Sequence, residues 1–301
     1  MREEKENGTP AEILRKIREI EITARKAVSS ILSGEYHSIF KGMGMEFAES
    51  RPYQPGDDIR TMDWNVTARA GEPYVKTYRE ERELTLMIIA DLSASGHFGS
   101  GEKFKSEMAA ELCATLAFSA IRNNDKVGLI AFTDKVELFT APRKGRSHVL
   151  RLIRDILYFK PEGKGTNIEE ALNYFNRVSK KKTIAFLVSD FMAQGYEKAL
   201  KATSRKHDLI AVKIADPRER FLENVGLITL TDSESGQTVT LDTSNRKLME
   251  DFAAARRAEE AELDSLFAAA KVDQIKVTTD KSYMEPLVKF FKLRGRKRRF
   301  G

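Results

Sequence analysis

The stretch "LTLMIIADLSASG", residues 84–96, decides how this 301-residue chain is read. Its near-continuous apolar run, Leu84 to Ala90, does not alternate with polar residues, which is the mark of a strand covered on both faces. The run stops at Asp91, and Ser93 and Ser95 follow at every second position. In an extended segment, side chains at i, i+2 and i+4 point the same way, so this carboxylate and both hydroxyls could share one ligand face. An aspartate at the mouth of a buried strand can be a nucleophile, a proton carrier or a metal ligand. The rest of the chain has to choose among these.

Downstream, helical and strand patterns alternate. Phe104, Met108, Leu112, Leu116 and Ala120 recur at a four-residue step and predict a long amphipathic helix. "KVGLIAFTD" and "VELFTA" read as strands, "SHVLRLIRDILYF" and "TNIEEALNYFNRVS" as helices, and "TIAFLVSD" as another buried strand. "YEKALKATSRK" is a helix and "DLIAVKIAD" a strand. This alternation predicts an α/β, Rossmann-like domain whose mostly parallel sheet carries helices on both faces. The rhythm breaks at residues 225–243, where two alternating runs flank "SESGQ", a hairpin insertion. A long helix, the last strand "DQIKVTTD" and a final helix over 284–293 follow.

Upstream, residues 10–32 read as a helix with Ile13, Ile17, Ile20, Ala24 and Val28 on one face. From Gly34 to Glu83 the chain is charged, aromatic and without helical period, an accessory segment with β structure. Its "YQPGDD" predicts a turn with Pro55 at the second position and Gly56 free to take positive φ. The expected division is therefore 1–83 for the amino-terminal helix and accessory segment, 84–293 for the α/β domain, and 294–301 for a solvated basic tail.

Composition narrows the function classes. The net charge of +6 is concentrated in Arg294, Arg296, Lys297, Arg298 and Arg299, so the body is close to balanced and nucleic acid is not an expected partner. One cysteine and four histidines exclude a disulfide framework or a Cys/His zinc site, and Cys113 on a helical apolar stripe reads as a buried, inert thiol. No apolar run is long enough to span a bilayer, and the first residues lack the apolar core of a signal peptide. The expected compartment is the cytoplasm.

In an open α/β sheet, ligands sit beyond the carboxyl ends of the strands. Asp91 stands there, "GKGTN" brings Thr166 before a helix, and "FLVSD" ends another strand in Asp190. Asp91, Ser93, Ser95, Thr166 and Asp190 would form a hard, all-oxygen set suited to Mg²⁺, Mn²⁺ or Ca²⁺ rather than Zn²⁺ or Cu²⁺. D-x-S-x-S at a strand end, a later Gly-Thr before a helix and a still later strand-terminal Asp resemble the metal-ion-dependent adhesion site of von Willebrand factor A domains. That resemblance implies that Ser93, Ser95 and Thr166 supply hydroxyl ligands, while Asp91 and Asp190 act largely through water. It also implies a free metal position completed by a partner's Glu or Asp. Together with Gly42, Gly44, Glu46, Phe47, Arg51, Tyr53, Asp57, Asp58, Asp63, Trp64 and Arg69, the chain resembles the bacterial domain-of-unknown-function-58 family over roughly residues 30–295. It departs from many members in having Gly96 where they carry Met. The family resemblance implies a divalent-metal-dependent protein-binding adaptor rather than an enzyme, working with a MoxR-type AAA+ ATPase or its client.

The alternative is a metal-dependent phosphatase or other hydrolase using Asp91. A phosphoryl-accepting aspartate would want a second Asp two residues on, where Ser93 stands. A serine nucleophile would want Gly-x-Ser-x-Gly, and "DLSASG" lacks the first glycine.

Overall fold

The structure, a computed structural model, describes residues 10–29, 45–80, 83–97, 99, 104–232 and 236–300. Gly42 and Gly44, much of the "GHFGSGEK" loop and the tip of the hairpin lie outside these residues. The described residues form two compact units, one of residues 10–29 with 85–300 and one of residues 45–84.

In the larger unit, helix α1 (Pro10–Ala27) precedes strand β3 (Thr85–Asp91), helix α3 (Lys105–Arg122) and strands β4 (Lys126–Phe132) and β5 (Val136–Arg143). Then come α4 (Arg146–Tyr158), α5 (Ile168–Val178), β6 (Ile184–Ser189), α6 (Glu197–Lys206) and β7 (Asp208–Ala215). The hairpin β8 (Leu227–Thr231) and β9 (Thr238–Asp242), helix α7 (Arg246–Ala270), β10 (Asp273–Thr278) and α8 (Met284–Phe300) complete it. The strand order is β10-β7-β6-β3-β4-β5, parallel throughout except for β5. Counted by order of appearance this is 3-2-1-4-5-6, the doubly wound arrangement.

Burial on both faces explains the unbroken apolar strands. Met87 and Ile89 of β3 pack with Leu172, Phe175, Leu200 and Phe267 from α5, α6 and α7. The intervening Leu86, Ile88 and Ala90 are equally buried, toward the other face. Helix α3 packs on β3 and β4, and its buried residues include the small Ala110, Ala114 and Ala117. Cys113 on this helix is fully buried, and burial pushes its thiol up to about 12, so it is inert.

Two expected boundaries change. Helix α1 belongs with the α/β unit and not with the accessory segment: it packs on α3 and α4, and its buried Glu21 accepts from Arg146 Nε at 2.5 Å and Nη2 at 2.7 Å. Residues 30–32 of the predicted helix lie outside the described residues. The final helix, expected to stop at 293, runs on through the tail to Phe300, and Arg294 pairs with Asp208 and lies 3.6 Å from Asp273. Among the described residues no helix is long and apolar enough to cross a membrane.

The smaller unit pairs β1 (Met45–Pro52) antiparallel with β2 (Tyr74–Glu80). The predicted turn is present: Asp57 N donates to Gln54 O at 3.0 Å, and Gly56 has φ +108°. Arg51 grips Asp57 in a two-pronged pair at 2.8 and 2.7 Å. A short helix that periodicity did not reveal, α2 (Trp64–Ala70), opens on Asp63 and closes on Gly71 in the left-handed conformation. Two turns are too few to establish a 3.6-residue period; its caps were the available signal.

Candidate metal centre

Strands β3 and β6 are parallel neighbours, in register from Leu86 opposite Ile184 to Ala90 opposite Val188. Asp91 and the Ser189–Asp190 pair therefore leave the sheet side by side. They are the first and fourth strands of the domain, between which the crossovers reverse direction. That crevice is where open α/β sheets bind ligands.

Asp91 Oδ1 accepts from Ser93 N at 2.9 Å, and Oδ2 accepts from Ser189 Oγ at 2.7 Å. Ser189 Oγ in turn accepts from Phe191 N at 3.0 Å, which ties Asp91 to the turn after β6. Ser93 and Ser95 do meet, with their hydroxyls 3.0 Å apart. They do so through the 3₁₀ turn Ala94–His97, closed by Gly96 N donating to Ser93 O, and not through an extended strand. The loop that carries Thr166 is tied to the ends of β3 and β4 on either side of that residue. Ala94 N donates to Lys164 O at 3.1 Å, and Asn167 N donates to the buried Thr133 O at 2.7 Å.

That loop approaches closely because of Gly163. A Cβ there would lie 1.8 Å from Asp134 Oδ1 and 2.3 Å from Thr133 Oγ1. The exposed Asp134 can swing away, but Thr133 is fully buried and donates to Glu137 Oε1 at 2.8 Å. The same Glu137 oxygen accepts from Gly163 N at 2.7 Å and Glu162 N at 3.1 Å, so one carboxylate holds the loop in place.

Asp190 Oδ1 accepts from Met192 N at 3.2 Å. Its Oδ2 accepts from Lys105 Nζ at 2.8 Å, and that ammonium also donates to Glu219 Oε1 at 2.6 Å. Lys105 is only 5% exposed. Burial works against its charge, but Asp190 and Glu219 outweigh burial and hold its pKa above the ordinary lysine value. Past Asp190 the backbone turns at Phe191 with φ +60°, a conformation that costs a non-glycine residue about 1–2 kcal/mol. Packing offsets this: Phe191 is buried with its ring edge-on to Phe267 at 5.1 Å.

Burial pushes the Asp91 carboxyl up to about 6, and the neighbouring charge of Asp190 adds to the rise. Hydrogen bonds from Ser189 and Ser93 only partly oppose it. Among the described residues Asp91 thus receives hydroxyl and amide protons and no cation. A small cleft opens here, lined by Asp91, Ser95, Lys105, Ser189 and Asp190 among others. Among the described residues no cage of three or more His, Cys, Asp and Glu side chains is gathered, so any ion held here would rest largely on hydroxyl oxygens. An under-compensated carboxylate beside a second one, with paired hydroxyls, fits a hard divalent cation.

Lys105, Glu137 and Glu219 were not read from the sequence, and Ser189 was read only as Asp190's neighbour at the strand end. Lys105 carried a usable signal: a cation at the first position of a helix sits against the helix dipole, so it needs a local anion. The others depend on contacts between residues 26 to 114 positions apart.

The family described as "Protein of unknown function DUF58" matches residues 49–262. The uncharacterized proteins Rv1480 of Mycobacterium tuberculosis and Mb1516 of Mycobacterium bovis are each 30% identical over 283 residues, covering 93% of this chain and 89% of their own. Among solved structures, BatB from Bacteroides thetaiotaomicron is similar over 71% of this chain and 99% of its own, at 17% identity and a TM-score of 0.45. The VWA domain of SpRpn10 is similar over 68% and 93%, at 11% identity and a TM-score of 0.37. Neither structural likeness bears on the site. The family match spans well over half of the chain, with its aspartates at the sheet's switch point inside it: this protein belongs to the DUF58 family.

Proposed function

We propose that the chain is a divalent-cation-dependent protein-binding module and not an enzyme. The observation that carries this reading is Asp91, a half-buried carboxylate beside Asp190 and without a facing cation among the described residues, at the switch point of the sheet. Ser93, Ser95 and Thr166 would hold the ion by neutral hydroxyl oxygens, with Asp91 and Asp190 in support; Mg²⁺, Mn²⁺ and Ca²⁺ suit such a set. A bound ion would supply an electrophilic centre that accepts one more anionic oxygen. Few direct carboxylates leave it under-neutralised, which favours a Glu or Asp from another chain. Ser93 stands where a phosphoryl-transfer aspartate would need a general acid. The described side chains lining the cleft include neither imidazole nor thiol.

The partner class implied by the family resemblance is a MoxR-type AAA+ ATPase or a client of one. Ile59 and Trp64 of the smaller unit, 68% and 66% exposed, offer that partner a second, apolar contact. Affinity capture on the immobilised chain tests the reading. A carboxylate-bearing partner is expected to be retained with Mg²⁺ and released by chelator. Thr166→Ala should weaken capture at least about tenfold, in the range seen when one group of a metal site is lost. Retention indifferent to chelator, or turnover of a phosphate-ester panel, would contradict the proposal.

A further inference from the structure

The Lys105 ammonium occupies the same cleft as the candidate metal ligands, and it already neutralises one of them. It is the first residue of α3, buried, and shared between Asp190 Oδ2 at 2.8 Å and Glu219 Oε1 at 2.6 Å. Nothing in packing alone calls for a cation there, and the positive end of the helix dipole opposes one. Burying an ammonium is costly unless it is paired, and here two carboxylates from different elements supply the pairing.

The two carboxylates are not equivalent. Asp190 ends the strand beside Asp91 and belongs to the candidate ligand set. Glu219 lies in the short 3₁₀ turn after β7, and its other oxygen accepts from Asp216 N at 3.0 Å, which fixes it to the backbone. Glu219 is thus a stationary perch within reach of Nζ, while Asp190 is the group a divalent cation would claim.

Resting on the metal-site reading above, we propose that Lys105 is a resident cation that competes with the divalent ion for Asp190 and is handed over to Glu219 when the ion binds. Without metal, the lysine keeps the cleft's negative charge partly neutralised. Loading then requires breaking the Lys105–Asp190 bond, which sets the affinity of the site below what its oxygens alone would give. Lys105 is a positioning residue in this scheme and does not ligate the ion. The handover gives Lys105 and Glu219 opposite effects: removing the competitor should tighten metal binding, while removing the perch should weaken it by confining the ammonium to Asp190.

Titration calorimetry with Mn²⁺, on the full chain stripped with chelator, tests this. Lys105→Met keeps the aliphatic stem and is expected to bind Mn²⁺ about tenfold tighter or more, because a like charge leaves the site. Glu219→Gln keeps an oxygen for the Asp216 amide and is expected to bind several-fold more weakly. Circular dichroism melts establish that each variant is folded before titration, and should Lys105→Met fail to fold, the weakening by Glu219→Gln still decides. Binding that Lys105→Met leaves unchanged or weakens, or that Glu219→Gln tightens, overturns the competition while leaving the metal site intact. If wild type and both variants all fail to bind Mn²⁺ at millimolar concentration, the metal-site reading falls and the competition with it.

Discussion

Asp91→Asn should make the metal-free protein more stable while abolishing its response to Mg²⁺. An unfolded aspartate titrates near 3.9, whereas the folded Asp91 is pushed up to about 6 by burial and by Asp190. Below about pH 4 both states hold the proton and the residue costs nothing. Between about pH 4 and 6 the folded state retains a proton that the unfolded state has released, so this contribution to stability falls as pH rises. Above about 6 the full penalty, on the order of 2–3 kcal/mol, is present. Asparagine does not titrate and can still accept from the Ser93 amide. Its advantage over wild type, measured by denaturant unfolding in chelator, should grow from pH 4 to 6 and level off above. In millimolar Mg²⁺ only the wild type should gain stability, since only its native state offers the ion a site. A variant no more stable than wild type at pH 7 would show that Asp91 is compensated after all.

The second aspartate should behave in the opposite way. Asp190→Asn leaves the buried Lys105 ammonium with Glu219 as its remaining described carboxylate partner. Breaking one side of a buried pair is expected to cost about 3 kcal/mol, against the gain at Asp91. The same substitution lowers the local negative charge, so it should also remove the Mg²⁺ response. Two strand-end aspartates that share a ligand set would thus be separated by the sign of their effect in chelator. An Asp190→Asn protein as stable as wild type would mean that the Lys105 pair contributes little.

The fold was legible where burial imposes a period. The apolar strands β3, β4, β6, β7 and β10 and the helices between them answer to side-chain patterns that any doubly wound sheet must satisfy, and residues 227–242 show the expected hairpin. The strand-end positions of Asp91 and Asp190 followed from the same patterns, because in each case the apolar run of a doubly covered strand stops at the aspartate or at the residue before it. What could not be read were contacts that depend on tertiary placement. Lys105 reaches Asp190 across 85 positions, and Arg294 reaches Asp208 across 86. No local pattern distinguishes Arg294 from the arginines that follow it in the sequence, so the last helix was cut short. Helix α1 was assigned to the accessory segment because sequence order was the only guide to its neighbours; its amphipathic stripe called for a partner without naming α3 and α4. Ser93 and Ser95 were expected on one ligand face of an extended segment, but the segment is a turn. Strand alternation suggested a shared face, and the 3₁₀ turn brings the two hydroxyls within 3.0 Å.

The claim on which the account depends is that the crevice between β3 and β6 holds a divalent cation. An anomalous difference map from a crystal grown or soaked in Mn²⁺ tests it most directly. The account predicts one strong peak at ligating distance from the Ser93 and Ser95 hydroxyls, with Thr166 turned toward it and Lys105 resting on Glu219. A map with no peak at that crevice, the Lys105–Asp190 pair intact and Mn²⁺ bound only at the surface, would contradict it.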